Sequence, residues 1–398
     1  MATKIEAGRR PPSAAFVFSL NNPAVRAVLY QILVLAGVAL VVWYLVSNTI
    51  HNLETRKIAA GFAFLQRESG FAIGESLIDF SPADTYLRAL WVGLLNTLRV
   101  AVIGIILATI LGTLIGIARL SRNWLIGRAA SIYVEFIRNI PLLLQLFFWW
   151  SIFRDILPGP RQALNPLPGI FLSNRGVLLP VPMSQPVHVW MVIAFGLAIV
   201  AAFVIGRWAR RRQEITGQQF PTGWTALGLI VGLPLIVFLA GGAPAQMDWP
   251  EIRGFNFVGG VSLTPEFAAL LIGLIMYTAG FIAEIVRAGI LAVSHGQTEA
   301  ALALGLRRAQ VLRLVVLPQA LRVILPPMTS QYLNLTKNSS LAVAIGYPDI
   351  VSIANTTLNQ TGQAIEGIAI IMAVYLTFSL SISAFMNWYN KHIALVER

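Results

Sequence analysis

The chain has 398 residues, of which 57% are hydrophobic and only 12% charged, with a formal net charge of +12 and no cysteine. Soluble domains carry about 25% charged residues, so this composition and a mean hydropathy of +0.72 exclude a soluble globular protein. An all-α polytopic membrane protein fits instead, because lipid offers no partner to unpaired backbone groups. Disulfides, thiolate metal sites and iron–sulfur clusters are excluded without cysteine, and the arginines lie scattered between apolar runs rather than forming a face for nucleic acid.

Eight spans are predicted, near 27–47, 90–118, 131–153, 188–207, 224–241, 266–291, 314–336 and 366–388. Lys4, Arg9 and Arg10 precede the first run, which is long and lacks a small-residue cleavage site, so it reads as a retained span rather than a signal peptide. Residues 48–89 form a long loop rich in aromatic and charged residues, expected to be partly helical. In 156–187, Pro158, Pro160, Pro166, Pro168, Pro180 and Pro182 exclude a regular helix. Cations gather on one side: Arg26 with the N-terminal tail, then Arg119, Arg122, Arg128, Arg207, Arg210, Arg211, Arg212, Arg307, Arg308, Arg313, Lys391 and Arg398. Glu54, Glu68, Glu75, Asp79, Asp84, Asp248 and Glu251 fall in the opposite loops. That asymmetry predicts both termini in the cytoplasm. No tandem repeat or low-complexity segment stands out.

The loop between the sixth and seventh spans carries the most informative pattern. Glu299-Ala300-Ala301 is followed by Gly305 and, at a distance, by Leu317-Pro318. A short alanine-rich helix there, with Ser294 or His295 as its cap, suits a docking knob for a cytosolic partner. The plainer reading is an ordinary amphipathic loop helix.

Within the spans, Glu135 and Arg138 are three residues apart on one helix, as are Glu284 and Arg287, which puts opposite charges on a shared face. Ionisable groups in a membrane are costly unless paired and inward-facing. Two local ion pairs are one reading. A gating latch between helices, Glu135 with Arg287 or Arg138 with Glu284, is the other. Arg99, with Asn96 and Thr97 beside it, reads either as an attractor of a substrate carboxylate or as a side chain snorkelling to headgroups. Pro326-Pro327 predict a kink. Beyond them, Thr336, Lys337, Asn338, Ser339 and Ser340 form a polar stretch suited to substrate contact on a broken helix or to helix-end capping. Paired catalytic carboxylates, zinc-spaced histidines and a nucleophile elbow do not occur. The four lysines never stand in a G-K-[ST] context, so any ATP hydrolysis must come from another polypeptide.

Four segments carry a family resemblance. Gly93-Leu94-Leu95-Asn96-Thr97-Leu98 opens the second span. Glu135-Phe136-Ile137-Arg138-Asn139-Ile140-Pro141-Leu142-Leu143-Leu144-Gln145 reads E-x-x-R-x-x-P-L-L-x-Q. Ala283-Glu284-Ile285-Val286-Arg287-Ala288-Gly289 runs into Gly296-Gln297-Thr298-Glu299-Ala300-Ala301, and Leu335 to Leu341 reads L-T-K-N-S-S-L. Together they resemble the polar amino-acid (histidine, glutamate, glutamine, arginine) group of type I ABC importer permeases, and in its enlarged form the Q-type subunit of general L-amino-acid importers. The resemblance implies a five-helix core from 90–155 and 264–398, a coupling loop at 293–313, and additions at 1–89 and 156–263. It implies that Glu299, Ala300, Ala301 and Gly305 dock an ATPase, and it places Gln145 with the pathway residues. Two ATPase subunits holding ATP and magnesium are implied, with a paralogous second permease, a periplasmic amino-acid-binding protein and an amino-acid substrate. No cofactor or metal is implied in this chain, which would be a transport subunit of the bacterial inner membrane and not an enzyme. Asn338, where the group has an aspartate, points toward neutral and acidic substrates. Another small polar solute is the alternative within the family. A secondary transporter or channel is the rival outside it, which would want inverted repeats.

Overall fold

The structure, a computed structural model, describes residues 23–55 and 61–393. The tail cations Lys4, Arg9 and Arg10 and the terminal Arg398 lie outside the described residues. The architecture follows from small residues. Helix α2 (Tyr86–Ala118) buries the small residues Ala89, Gly93, Gly104, Ala108, Gly112 and Gly116. In lipid, helices associate through close van der Waals contact rather than hydrophobic exclusion, so small residues mark where backbones meet. Gly112 and Gly116 meet α7 (Pro265–Leu291), which buries Ala279, Ile282, Ala283 and Val286, while Gly93 meets Ile350. A Cβ on Gly112 would stand 2.6 Å from the Ile282 Cβ and 2.9 Å from the Ala279 carbonyl. The two helices run parallel: Arg99 lies over the Phe267 ring at one end, and Arg119 reaches Glu284 at the other. Helix α10 (Leu317–Asn338) packs antiparallel to both, with Ile324 against Gly289 and Leu335 against Gly104.

Seven described helices are long and apolar enough to cross a membrane, eight if one bent pair counts as a span. That pair corrects the third predicted span. It is two helices, α3 (Trp124–Asn139) and α4 (Leu142–Ser151), the latter continued by a π-turn over Ile152–Ile156, and they meet at 104°. Pro141 is the cause: it lacks an amide donor and forces its predecessor out of the helical region. Ile140 accordingly sits extended, at φ −99° and ψ 128°. At Pro326-Pro327 the expected break does not occur. α10 carries both prolines through to Asn338 and tightens only afterwards, into a 3₁₀ turn over Ser339–Ile345.

The remaining helices are α1 (Pro23–Thr55), α5 (Pro186–Thr216), α6 (Thr222–Ala240), α8 (His295–Ala303), α9 (Arg308–Val311), α11 (Ile350–Thr361) and α12 (Ala364–Ile393). Of the 48–89 loop, residues 48–55 continue α1 and 86–89 open α2, and the described chain between them forms one 3₁₀ turn, Phe62–Gln66, followed by bends and turns. The proline-rich region forms strands, an addition to the all-α expectation. β1 (Leu164–Leu167), β2 (Ile170–Ser173) and β3 (Gly176–Leu179) join β8 (Val261–Leu263) in the order β1-β2-β3-β8, with Val177 opposite Leu263. β4 (Val181–Pro182) pairs with β5 (Met247–Asp248), and β6 (Glu251–Arg253) with β7 (Asn256–Val258). β8 runs directly into α7, whose N-terminus Thr264 caps by accepting from the Phe267 amide at 3.1 Å, so the sheet is seated at the end of the core opposite α8.

Candidate functional site

Helix α8 is short, exposed and well terminated. Of its residues only Ala301 is buried, while Glu299 and Ala300 face outward. The sequence pattern has a stereochemical reason. Gly305 sits at φ +81°, in the left-handed region that glycine alone enters without strain. Its amide donates to the Leu302 carbonyl at 2.9 Å, and the Leu306 amide to Ala301 at 3.3 Å. That pair of bonds is a Schellman motif, so the glycine four residues after Ala301 stops the helix and turns the chain toward α9. Ser294 occupies the N-cap without a side-chain bond. His295, expected as a possible cap, instead places Nδ1 3.0 Å from the Glu299 carboxylate, one turn along the exposed face.

Three residues, Ala292 to Ser294, separate α8 from α7, whose inner turns hold the principal charge cluster. Glu284 is gripped by two arginines. Arg287 from its own helix bonds both carboxylate oxygens, at 2.6 and 3.2 Å, and Arg119 at the end of α2 pairs with Glu284 across the helix boundary. The expected Glu284–Arg287 pair is therefore present, but Arg119 makes the bond between helices. Among the described residues, Glu135 and Arg138 form neither a local pair nor a latch. Both are exposed, and Arg138 lies over the Phe281 ring at 5.0 Å.

At the opposite end the expected pathway residues turn out to hold elements together. Asn96, fully buried, donates to the Glu75 and Pro348 carbonyls at 2.8 and 2.9 Å. The Thr97 hydroxyl donates to the Gly93 carbonyl at 2.9 Å and accepts the Ile350 amide at 3.0 Å. Arg99 neither stands free nor snorkels: Nη1 meets the Glu75 carboxylate at 2.5 Å, and Thr264 donates to the same carboxylate. Glu75 thus joins the loop before α2 to α2 and to the start of α7. It borders a cavity of about 430 Å³ shared with Thr264, Glu266, Pro348, Ser352 and Thr356. Gln145 donates to the Ile137 and Ile140 carbonyls at 2.9 and 3.0 Å, satisfying the carbonyls that the α3–α4 break orphans.

In the polar stretch, the Thr336, Ser339 and Ser340 hydroxyls donate to the carbonyls of Tyr332, Thr336 and Lys337 at 2.9, 2.7 and 2.7 Å. These are local bonds at a helix end, the capping role. Lys337 remains exposed and Asn338 half-buried. Beyond this stretch Asp349 caps α11, its carboxylate accepting the Ser352 amide at 2.8 Å. Burial pushes that carboxyl up to about 7. Sequence reasoning missed Arg119 and Asp349 and read Glu75 only as a loop acid. Their partners lie far away in sequence, 165 residues in the case of Arg119 and Glu284, and no spacing signals such a pair.

Comparison with known proteins places this geometry. Residues 104–395 match the family described as "Binding-protein-dependent transport system inner membrane component". The chain is 53% identical to the "General L-amino acid transport system permease protein AapQ" of Rhizobium johnstonii, over 96% of each chain. It is 53% identical to the "Putative amino-acid ABC transporter permease protein YhdX" of Escherichia coli, over 96% of this chain and 97% of that one. To the "Glutamate/glutamine/aspartate/asparagine transport system permease protein BztB" of Rhodobacter capsulatus it is 44% identical, over 98% and 99%. The chain belongs to this family of inner-membrane transport components. It is a transport subunit and not an enzyme.

Proposed function

We propose that the chain is the permease subunit of an ATP-driven importer of polar L-amino acids, the class named for its relatives. α8 is the docking element for a separate ATPase that binds ATP and magnesium. The observation that carries this reading is an exposed helix, fixed at its end by Gly305, between two helices that pack on each other and on α2. Force applied to α8 reaches α7 through three residues and α10 through α9 and the π-turn over Leu312–Val316. From α7 it reaches α2 through the Glu284 cluster. Rigid helices packed through small residues transmit displacement rather than absorb it.

The same reading puts α8 and both termini in the cytoplasm, supported by the arginine and lysine distribution. A second, paralogous permease completes the pathway, two ATPase subunits sit beneath, and a periplasmic binding protein delivers substrate to the face bearing the cavity beside Glu75. Lys337 and Asn338, polar groups that the helix end leaves unbonded, are the substrate-facing members of their stretch.

Co-expression with candidate ATPase subunits, followed by detergent capture of this chain, tests the docking role. ATPase recovered with wild type and lost with Glu299→Lys, the variant still inserting, is the expected result. Equal recovery with both removes α8 from the docking site. Uptake of labelled L-amino acids by the reconstituted complex then tests substrate class.

A further inference from the structure

The α5–α6 hairpin stands apart from the rest of the molecule. Its two helices pack against each other, Ala194, Ala198 and Ala209 of α5 lying buried, and neither shares an extended interface with the core. Val189, Val192, Leu197, Val200 and Phe203 are exposed on it, so lipid covers most of its surface. The last turns of α5, on the α8 side of the membrane, carry Arg207, Arg210, Arg211 and Arg212. The only acid in this stretch is Glu214, and among the described residues none of these five forms an ion pair. Three arginines of the core differ: Arg99, Arg119 and Arg287 each meet a carboxylate, whereas Arg138 and Arg322 meet none among the described residues.

Three of the four share a face. Phe203, Arg207, Arg210 and Arg211 follow the i, i+4, i+7, i+8 spacing of one helical stripe, and all four are exposed. The Arg207 guanidinium lies 4.8 Å from the centroid of the Phe203 ring, itself half-exposed to lipid. The fourth is held aside: Arg212 stacks over Trp208 at 5.4 Å and donates to Gln218 at 3.0 Å, while Trp208 meets Phe220 edge-on at 5.6 Å. Amphipathic aromatics of this kind settle at the headgroup level. From Trp190, at the far end of α5, to Arg207 is about 26 Å of helix at 1.5 Å per residue, which matches the hydrocarbon thickness. The stripe therefore begins where acyl chains give way to phosphates.

We propose that Arg207, Arg210 and Arg211 form a binding site for the phosphodiester headgroup of an anionic phospholipid, with acyl chains lying along Phe203 and Val200. Guanidinium groups bond phosphate oxygens in bidentate fashion, and basic clusters just outside a span attract anionic lipid. The site would fix the lone hairpin in the bilayer independently of the amino acid carried. The inference rests on the chain's place in the membrane and not on its substrate.

Native mass spectrometry of the full-length chain, titrated in detergent with phosphatidylglycerol or phosphatidylcholine, tests it. Wild type should take up phosphatidylglycerol preferentially, and Arg210→Gln should weaken that uptake about fivefold, the order expected for one cation at an anionic surface. Equal uptake of the two lipids by wild type overturns the proposal. Because these arginines also help orient the chain, a second variant keeps the cation count while moving it: Arg210→Gln and Arg211→Gln with Gln218→Arg and Gln219→Arg. Loss of the preference in this variant supports the stripe, and full retention overturns it. Loss of the wild-type preference once ATPase subunits are bound would assign the arginines to a protein interface, and likewise overturns it.

Discussion

Glu284 shows how charge near the end of a span can be shared. One carboxylate between Arg119 and Arg287 lets two helices keep their cations inside the protein, where an unpaired charge would be costly. A double-mutant cycle of Arg119→Gln and Glu284→Gln, read by thermal unfolding in detergent, should give a coupling energy of about 0.5–3 kcal/mol. Strictly additive losses would show that the contact contributes nothing. Asp349 is a different kind of residue. Its carboxyl, near 3.8 when free, is raised by burial to about 7, so folding favours its protonated form. That contribution is fully present below about pH 3.8, declines as pH rises, and is lost above about 7. In Asp349→Asn the side chain can still accept the Ser352 amide. Its melting temperature should accordingly fall less between pH 5 and pH 8 than that of wild type. Parallel profiles for the two proteins would show that Asp349 is not the titrating group.

At the scale of elements, two devices set the shape. The first is the set of small residues on α2, of which Gly112 and Gly116 bring its backbone against α7. Gly112→Ala should destabilise by about 1–3 kcal/mol, the usual effect of overpacking, because the new Cβ meets Ile282 at 2.6 Å. Gly37→Ala on α1 is the control, since nothing lies within 4 Å of it. Equal stability of the two variants would contradict the close approach. The second device is Pro141, which turns one apolar run into two helices, with Gln145 bonding the carbonyls left at the corner. Pro326 and Pro327 show that a proline by itself does not decide. They lie exposed near the middle of α10, a helix that packs on α7 and α12, and neighbouring helices in a membrane can compensate for a missing hydrogen bond.

For the whole molecule, the hairpin of α5 and α6 is an addition rather than a support. The β4–β5 pair holds its two ends side by side, Pro182 opposite Met247. Replacing residues 183–246 by an Asn-Gly turn, which suits a two-residue β-hairpin, should leave the core folded with its melting temperature within a few degrees. Capture of ATPase through α8 should persist. An aggregated or unfolded product would mean that the hairpin supports the core after all.

Most of the spans and the helix with its glycine stop at α8 were readable from the residues, because each depends on local chemistry. Lipid requires every backbone group to bond within its own helix, so a long apolar run names a span unaided. A glycine in the left-handed region stops a helix wherever it occurs. The roles of polar residues inside the spans were not readable in this way. Asn96, Thr97 and Arg99 suggested a substrate path from their position on α2, yet they bond Glu75, Pro348 and Ile350. Glu135 and Arg138 had the spacing of an ion pair and form none among the described residues. Sequence by itself therefore determined where most of the apolar spans run, where the exposed helix α8 lies and what ends it. Tertiary structure decided which charges pair and which polar groups are occupied, since a side chain's partner depends on which helix faces meet, and that follows from close packing between segments distant along the chain.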